Sequence, residues 1–212
     1  MIMIENVTYR YPGSAKPVLS GFSAYFDRGE IVAVRGKNGI GKTTLTKLLT
    51  GMLRPQTGRI LINGADISGM DLFEIGQKIG YVFQNPNRQL FRDTVYNETA
   101  YGLKNMGLNN EQTERRATRY LDYFGLASYR DDYPGKLSFG EKQRLVLAAV
   151  LALGTDYLVL DEPTAGLDVY RRRELGDMLK NLRRDTSCGV VFVSHEADFI
   201  ARTADRELVM AL

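Results

Sequence analysis

The segment that most restricts this chain is Gly36-Lys37-Asn38-Gly39-Ile40-Gly41-Lys42-Thr43, because of what flanks it. Before it runs an apolar strand, Ile31-Val32-Ala33-Val34. After it, Leu45, Leu48, Leu49 and Met52 recur at one-face helical spacing, and Gly51 is placed to end the helix. A glycine loop between strand and helix matches G-x-x-x-x-G-K-[ST] in the context that pattern needs. The glycines let the backbone curl until several N–H groups face one point, and the helix N-terminus adds its positive dipole there. Lys42 would reach β- and γ-phosphates, the Thr43 hydroxyl would bind Mg²⁺, and Thr44 would add a further phosphate contact.

Around this loop the chain reads as alternating elements. Residues 2–9, 21–26 and 58–62 carry strand patterns bounded by Gly, Pro and Asn. Residues 85–153 read as mainly helical: Ala117, Tyr120, Leu121 and Phe124 mark an amphipathic helix with Arg115, Arg116 and Arg119 on its wet side, and 145–153 a buried one. Residues 157–160 and 190–193 are buried strands, with a helix between them on Leu175, Met178, Leu179 and Leu182. The end, Leu208-Val209-Met210-Ala211-Leu212, reads as a strand just begun. The expected fold is α/β: a P-loop NTPase core with a mostly parallel sheet, an N-terminal antiparallel β subdomain and an inserted α-helical subdomain. One domain spans 1–212, with 1–84 and 154–212 as core and about 85–153 as the helical insertion.

The buried strand at 157–160 runs into Asp161 and Glu162. Ionised carboxylates are costly to desolvate, so paired acids at a buried strand end need a reason. Ligands of such sheets bind at the carboxyl ends of strands, and a Mg²⁺-nucleotide supplies the reason. Asp161 would hold the Mg²⁺ shell, and Glu162 would orient or deprotonate the attacking water. An exposed acid pair capping a turn before Pro163 is the plainer alternative, and the phosphate loop weighs against it. His195, the single histidine, follows the strand at 190–193, where it could reach the γ-phosphate.

Composition removes other classes. The formal net charge of +3 is spread along the chain, without the clustered Lys/Arg of a nucleic-acid surface. Cys188 is the single cysteine, so no internal disulfide can form, which fits a reducing compartment. The opening Met1-Ile2-Met3-Ile4-Glu5-Asn6 lacks the basic and apolar regions of a signal peptide. No apolar run approaches the roughly 18 residues needed to cross a bilayer, so a membrane role requires a partner.

Together with two further segments, these residues resemble the nucleotide-binding domains of ABC ATPases. Leu137-Ser138-Phe139-Gly140-Glu141-Lys142-Gln143-Arg144 resembles the signature motif, Gln84 in Tyr81-Val82-Phe83-Gln84-Asn85-Pro86 the Q-loop glutamine, and Ala165-Gly166-Leu167-Asp168 the D-loop. His195 is similar to the switch histidine, and Tyr11, ahead of Pro12, to the aromatic that stacks on adenine. The resemblance implies ATP and Mg²⁺ as ligands, with Thr43, Gln84 and Asp161 at the metal and Glu162, His195 and Gln84 in hydrolysis. It implies a head-to-tail pair of ATPase domains, homodimer or heterodimer, in which Ser138, Phe139, Gly140, Glu141 and Asp168 of one face the nucleotide of the other. The segments 84–91 and 161–168 are most similar to energy-coupling factor and cobalt-type importers. That implies an integral membrane coupling protein and a substrate-binding membrane protein as partners, no nucleic acid, and a place on the cytoplasmic face of the membrane. Arg88, Gln89 and Phe91 are candidate contacts to the coupling protein, or Leu90 and Phe91 merely pack the helical subdomain.

Three features depart from the family pattern. Phe139 stands where glycine is usual, Glu141 where glutamine is commoner, and Val169 where proline often follows the D-loop aspartate. Rival readings are a regulator of a membrane complex of the cell-division type, a soluble ABC ATPase of repair or translation, and a P-loop kinase or GTPase. The chain lacks the coiled coils and zinc cysteines of repair types, the second domain of translation types, and an Asn-Lys-x-Asp guanine-reading segment.

Overall fold

Side-chain alternation in the first strand, Ile2–Tyr9 (β1), is broken once, and the break is a bulge. Ile2 and Ile4 point inward, then Val7 and Tyr9 do, so the parity shifts by one at Asn6, whose φ is 50°. The pairing register slips at the same place. Asn tolerates this left-handed conformation better than most residues, and the extra residue keeps both halves of the strand buried on one face. β1 pairs antiparallel with Leu19–Phe26 (β2) and Thr57–Ile62 (β4), and Ala65–Asp66 (β5) completes a sheet of order β2-β1-β4-β5. The strand at 21–26 therefore begins earlier than its sequence pattern suggests, because Leu19 is paired with Tyr9.

The computed structural model describes residues 1–210. Its second sheet joins Ile31–Arg35 (β3), Ile79–Val82 (β6), Tyr157–Asp161 (β7), Gly189–Val193 (β8) and Arg206–Val209 (β9) in the order β6-β7-β8-β3-β9. The pairs β7/β8, β8/β3 and β3/β9 are parallel. β8 is buried throughout, and β3 and β7 are buried apolar runs up to their last residues, Arg35 and Asp161, as parallel strands under helices must be. The helices accompanying this sheet are Lys42–Leu49 (α1), Leu72–Gly76 (α2), Val169–Thr186 (α6) and Ala197–Thr203 (α7). α1 is shorter than its pattern suggests: it stops at Leu49, Gly51 turns the chain at φ 70°, and Met52 lies beyond it, exposed. The last strand is also shifted. It starts at Arg206, held by Glu30 at 2.7 Å and by the Tyr25 carbonyl at 2.9 Å, and ends at Val209. Residues 211 and 212, counted in the expected strand, lie outside the described residues.

By internal contacts the chain divides into Met1–Tyr81 with the chain from Asp156 on, and Val82–Thr155. The second unit carries Val95–Asn105 (α3), Asn110–Tyr123 (α4) and Phe139–Ala152 (α5), packed around Ala100, Leu103, Ala117 and Ala152. Small residues let these helices approach closely; a Cβ at Gly102 would stand 2.5 Å from the Leu153 side chain. Among the described residues, no helix is long and apolar enough to cross a membrane.

Candidate nucleotide site

Strand register assembles the site. Parallel pairing sets Asp161 of β7 beside Val193 of β8, and Val193 beside Val34 of β3. Three strands thus end level, and their carboxyl ends deliver three groups to one place: the glycine loop after β3, Glu162 after β7 and His195 after β8. They line a pocket of about 380 Å³ with Tyr11, Asn38, Gly39, Gly41 and Lys42 to Thr44.

The loop needs glycine at two points. Gly36 sits at φ 156°, and a Cβ there would lie 2.9 Å from both Ile40 Cγ2 and the Met210 carbonyl. Gly41 sits at φ 108°, and its Cβ would lie 2.8 Å from Val18. Asn38 and Gly39 are exposed at the tip beside Lys37. The Ile40 side chain is turned inward, so that residue can offer a ligand only its backbone. Lys42 is buried at 7% exposure, and its Nζ donates to the carbonyls of Gly36 at 2.9 Å and Lys37 at 3.1 Å. An ammonium has three protons, and these partners are neutral carbonyls. A buried cation held this way is costly until an anion joins it.

The acidic pair divides its tasks. Asp161 accepts from the Thr43 hydroxyl on Oδ1 at 3.3 Å and from the Tyr81 hydroxyl on Oδ2 at 3.2 Å. A hydroxyl and a carboxylate oxygen this close are hard donors of the kind Mg²⁺ takes beside phosphate oxygens, so the set fits that ion. Glu162 has φ 51°, a left-handed conformation that costs a non-glycine residue about 1 kcal/mol. Its N–H donates to the Val193 carbonyl at 3.1 Å, which holds the turn. The bend swings its side chain to His195, with Nε2 to Oε1 at 2.9 Å. Burial pushes the Glu162 carboxyl above the ordinary glutamate value, while His195 and Lys42 draw it partly back. An acid so tuned is a better proton acceptor than a surface glutamate.

Tyr11 stands at the pocket rim, 36% exposed, its ring edge-on to Tyr9 with centroids 5.0 Å apart. Its hydroxyl shares a hydrogen bond with Thr44 Oγ1 at 3.2 Å.

The remaining predicted residues are not in this pocket. Asp168 caps α6, its Oδ1 accepting from the Arg171 N–H at 2.8 Å; Val169 and Tyr170 after it are exposed at 63% and 70%. Gln84 is exposed on the second unit, two residues beyond β6. Ser138, Phe139, Gly140 and Glu141 are also on that unit, at the start of α5. Ser138 and Glu141 form a capping box: the Ser138 N–H donates to Glu141 Oε2 at 2.8 Å, and the Glu141 N–H to Ser138 Oγ at 3.4 Å. Hydrogen bonds to its carboxylate from the Ser138 hydroxyl, and next from the Ser138 N–H, hold the Glu141 carboxyl below its ordinary pKa. Glutamate thus does locally what glutamine could do at this position.

Tyr81 is a site residue that the sequence motifs do not single out. A tyrosine within the buried strand Ile79–Val82 has a hydroxyl that must find a partner, and that is its one signal in the sequence. Glu98 is likewise unmarked by any motif, yet it is buried and accepts from the N–H groups of Phe91 and Arg92 at 2.8 Å each.

Comparison with known proteins gives this geometry a context. A family profile described as ABC transporter matches residues 19–165. A protein of Pyrococcus horikoshii, named as an ABC transporter ATP-binding protein, is 40% identical over 210 residues, 99% of this chain and 80% of that protein. One of Vibrio vulnificus bearing the same kind of name is 38% identical over all of this chain, which spans 37% of it. Among solved structures, CbiO1 from Clostridium perfringens, described as part of the ABC transporter complex CbiONQ, superposes with a TM-score of 0.91 at 33% identity, covering 99% of this chain and 84% of that one. The ATP-binding subunit of another ABC transporter gives a TM-score of 0.83 at 24% identity, a likeness of fold.

Proposed function

Because the chain belongs to the ABC transporter family of ATP-binding proteins, which hydrolyse ATP, we propose that it powers an energy-coupling factor type importer of a vitamin or metal ion. The observation that carries this finer reading is the likeness to CbiO1 at a TM-score of 0.91. The segment Gln84-Asn85-Pro86-Asn87-Arg88-Gln89-Leu90-Phe91 agrees with it. In this reading the ATP phosphates lie on residues 36–44 with Lys42 against them, and Tyr11 stacks on the adenine. Thr43 and Asp161 would hold Mg²⁺, with Gln84 as the further ligand that the family resemblance implies; the ion would supply positive charge against the phosphate oxygens. Glu162 takes the proton of the attacking water at a carboxylate oxygen, and His195 holds that carboxylate while reaching the γ-phosphate.

The second half of the site comes from another ATPase domain. Ser138, Phe139, Gly140 and Glu141 would approach the γ-phosphate from the partner side, with Asp168 across the interface. ATP then favours the closed pair because it touches both halves only there. A membrane coupling protein would meet the segment after Gln84, which places the chain at the cytoplasmic face of the membrane. Phe91 supports this assignment: it is 64% exposed, edge-on to Tyr101 with centroids 5.1 Å apart, and its backbone is clamped by Glu98.

The test uses tagged Glu162→Gln chain and Mg-ATP. Loss of a positioned base should slow turnover at least about 100-fold while ATP still binds; near-normal turnover removes Glu162 from that role. A pull-down from detergent-solubilised native membranes should recover a polytopic coupling protein with a second, substrate-binding membrane protein. Recovery of a single division-type membrane partner, or of soluble proteins alone, overturns the importer reading.

A further inference from the structure

We propose that Tyr81 is a positioning residue for the metal site: its hydroxyl fixes the Asp161 carboxylate in the orientation that Mg²⁺-nucleotide requires. The inference rests on the reading of Thr43 and Asp161 as the residues that hold Mg²⁺. The two oxygens of Asp161 are each served by one hydroxyl, Oδ1 by Thr43 at 3.3 Å and Oδ2 by Tyr81 at 3.2 Å. These bonds differ in what happens to them. Thr43 is exposed on the pocket side, and its hydroxyl oxygen would also serve the ion, so its bond to Oδ1 would be shared with that task. Tyr81 is 8% exposed on β6, the neighbour of β7 in the sheet. Its bond to Oδ2 is therefore separate from the groups that would hold the ion.

The proton accounting agrees. Thr46 Oγ1 donates to the Thr43 carbonyl at 2.9 Å and stands 3.4 Å from the Tyr81 oxygen, where it can only accept; the nearer and charged acceptor, Asp161 Oδ2 at 3.2 Å, takes the Tyr81 proton. Phenylalanine would fill the same space in β6 and leave Asp161 Oδ2 without this donor. A carboxylate free to rotate meets the metal in several orientations, and preorganisation by an outer hydrogen bond is how proteins suppress that.

The experiment titrates binding of a fluorescent ATP analogue to the full chain, once in EDTA and once against Mg²⁺. In Tyr81→Phe the affinity in EDTA should stay within about twofold of wild type. The Mg²⁺ concentration giving half of the metal-dependent effect should rise about three- to tenfold, the size of one ordinary intramolecular hydrogen bond. Mn²⁺ bound with ATP should show an altered electron paramagnetic resonance spectrum, which a loss of general stability would not produce. An unchanged Mg²⁺ midpoint, or an equal loss of affinity with and without metal, overturns the inference. Asp161→Asn tests the parent reading separately. If it leaves the Mg²⁺ dependence untouched, Asp161 does not hold the metal. If it raises the midpoint while Tyr81→Phe does not, only the role of Tyr81 falls.

Discussion

The two helix N-termini assigned to the phosphates, those of α1 and α5, are built in opposite ways. α1 begins at Gly41 in a left-handed conformation, with no side-chain cap and no acidic residue in its first turn. α5 begins at Ser138 with a complete capping box. The first four N–H groups of any helix lack internal partners and are satisfied by side chains, water or ligands. In α1 they are left for a ligand, with the Lys42 ammonium beside them. In α5 two of the local donors are already matched within the chain. The difference teaches which half of the proposed site can grip nucleotide alone. The loop before α1 is open and cationic, whereas the start of α5 is a finished helix end whose proposed contribution would come at another domain's nucleotide.

The sharpest way to break this comparison is to remove the cation. Lys42→Ala deletes a charge-assisted contact to phosphate, worth about 1.5–3 kcal/mol, and ATP affinity of the isolated chain should fall about 10- to 100-fold at physiological salt. Calorimetric titration checks it. Affinity equal to wild type would mean that the phosphates do not lie against Lys42, and the asymmetry between the two helix ends would lose its meaning.

Gly41→Ala probes the same end by a smaller, structural route. The new Cβ must accept φ 108° and lies 2.8 Å from Val18 Cγ1. Strain of this kind costs about 1–3 kcal/mol. The urea midpoint should fall with the m-value unchanged, since the surface exposed on unfolding is the same. A midpoint within error of wild type would show that the loop shifts to accept a side chain, and that its open N–H groups are less firmly set than the uncapped helix start suggests.

The contrast between these two helix starts is partly legible in the residues. Gly41 after a strand, and Ser138 three positions before Glu141, are local patterns, and local patterns survive into structure. The convergence of Asp161, Glu162 and His195 is legible for a related reason: each comes after a buried apolar run, and parallel strands end level. Long-range facts are not legible. The bond of Tyr81 to Asp161 exists because β6 lies beside β7, a pairing that no local pattern encodes. The bond between Tyr11 and Thr44 joins residues 33 apart, so no local pattern links the rim tyrosine to the phosphate loop. The early end of α1 is hidden because Met52 continues the apolar spacing, while the turn at Gly51 has already stopped the helix. The departure of Glu141 from the family pattern gains its physical meaning only from the position of its carboxylate on the Ser138 N–H.

Ser138→Ala is the mildest perturbation and the one that separates the two ends. Alanine cannot accept from the Glu141 N–H, so half of the capping box is lost, at a cost of about 1 kcal/mol. For a chain of this length that lowers Tm by about 2–4 °C, readable by calorimetry. ATP affinity of the isolated chain, measured at low protein concentration where copies do not associate, should remain as in wild type, in contrast to Lys42→Ala. If Ser138→Ala weakened ATP binding there as much as Lys42→Ala does, the start of α5 would be acting within its own chain. The division into a self-sufficient phosphate loop and a contribution that needs a second domain would then be wrong. If Tm falls and affinity holds, the serine caps its own helix in the lone chain, and any effect on turnover measures what it adds across the pair.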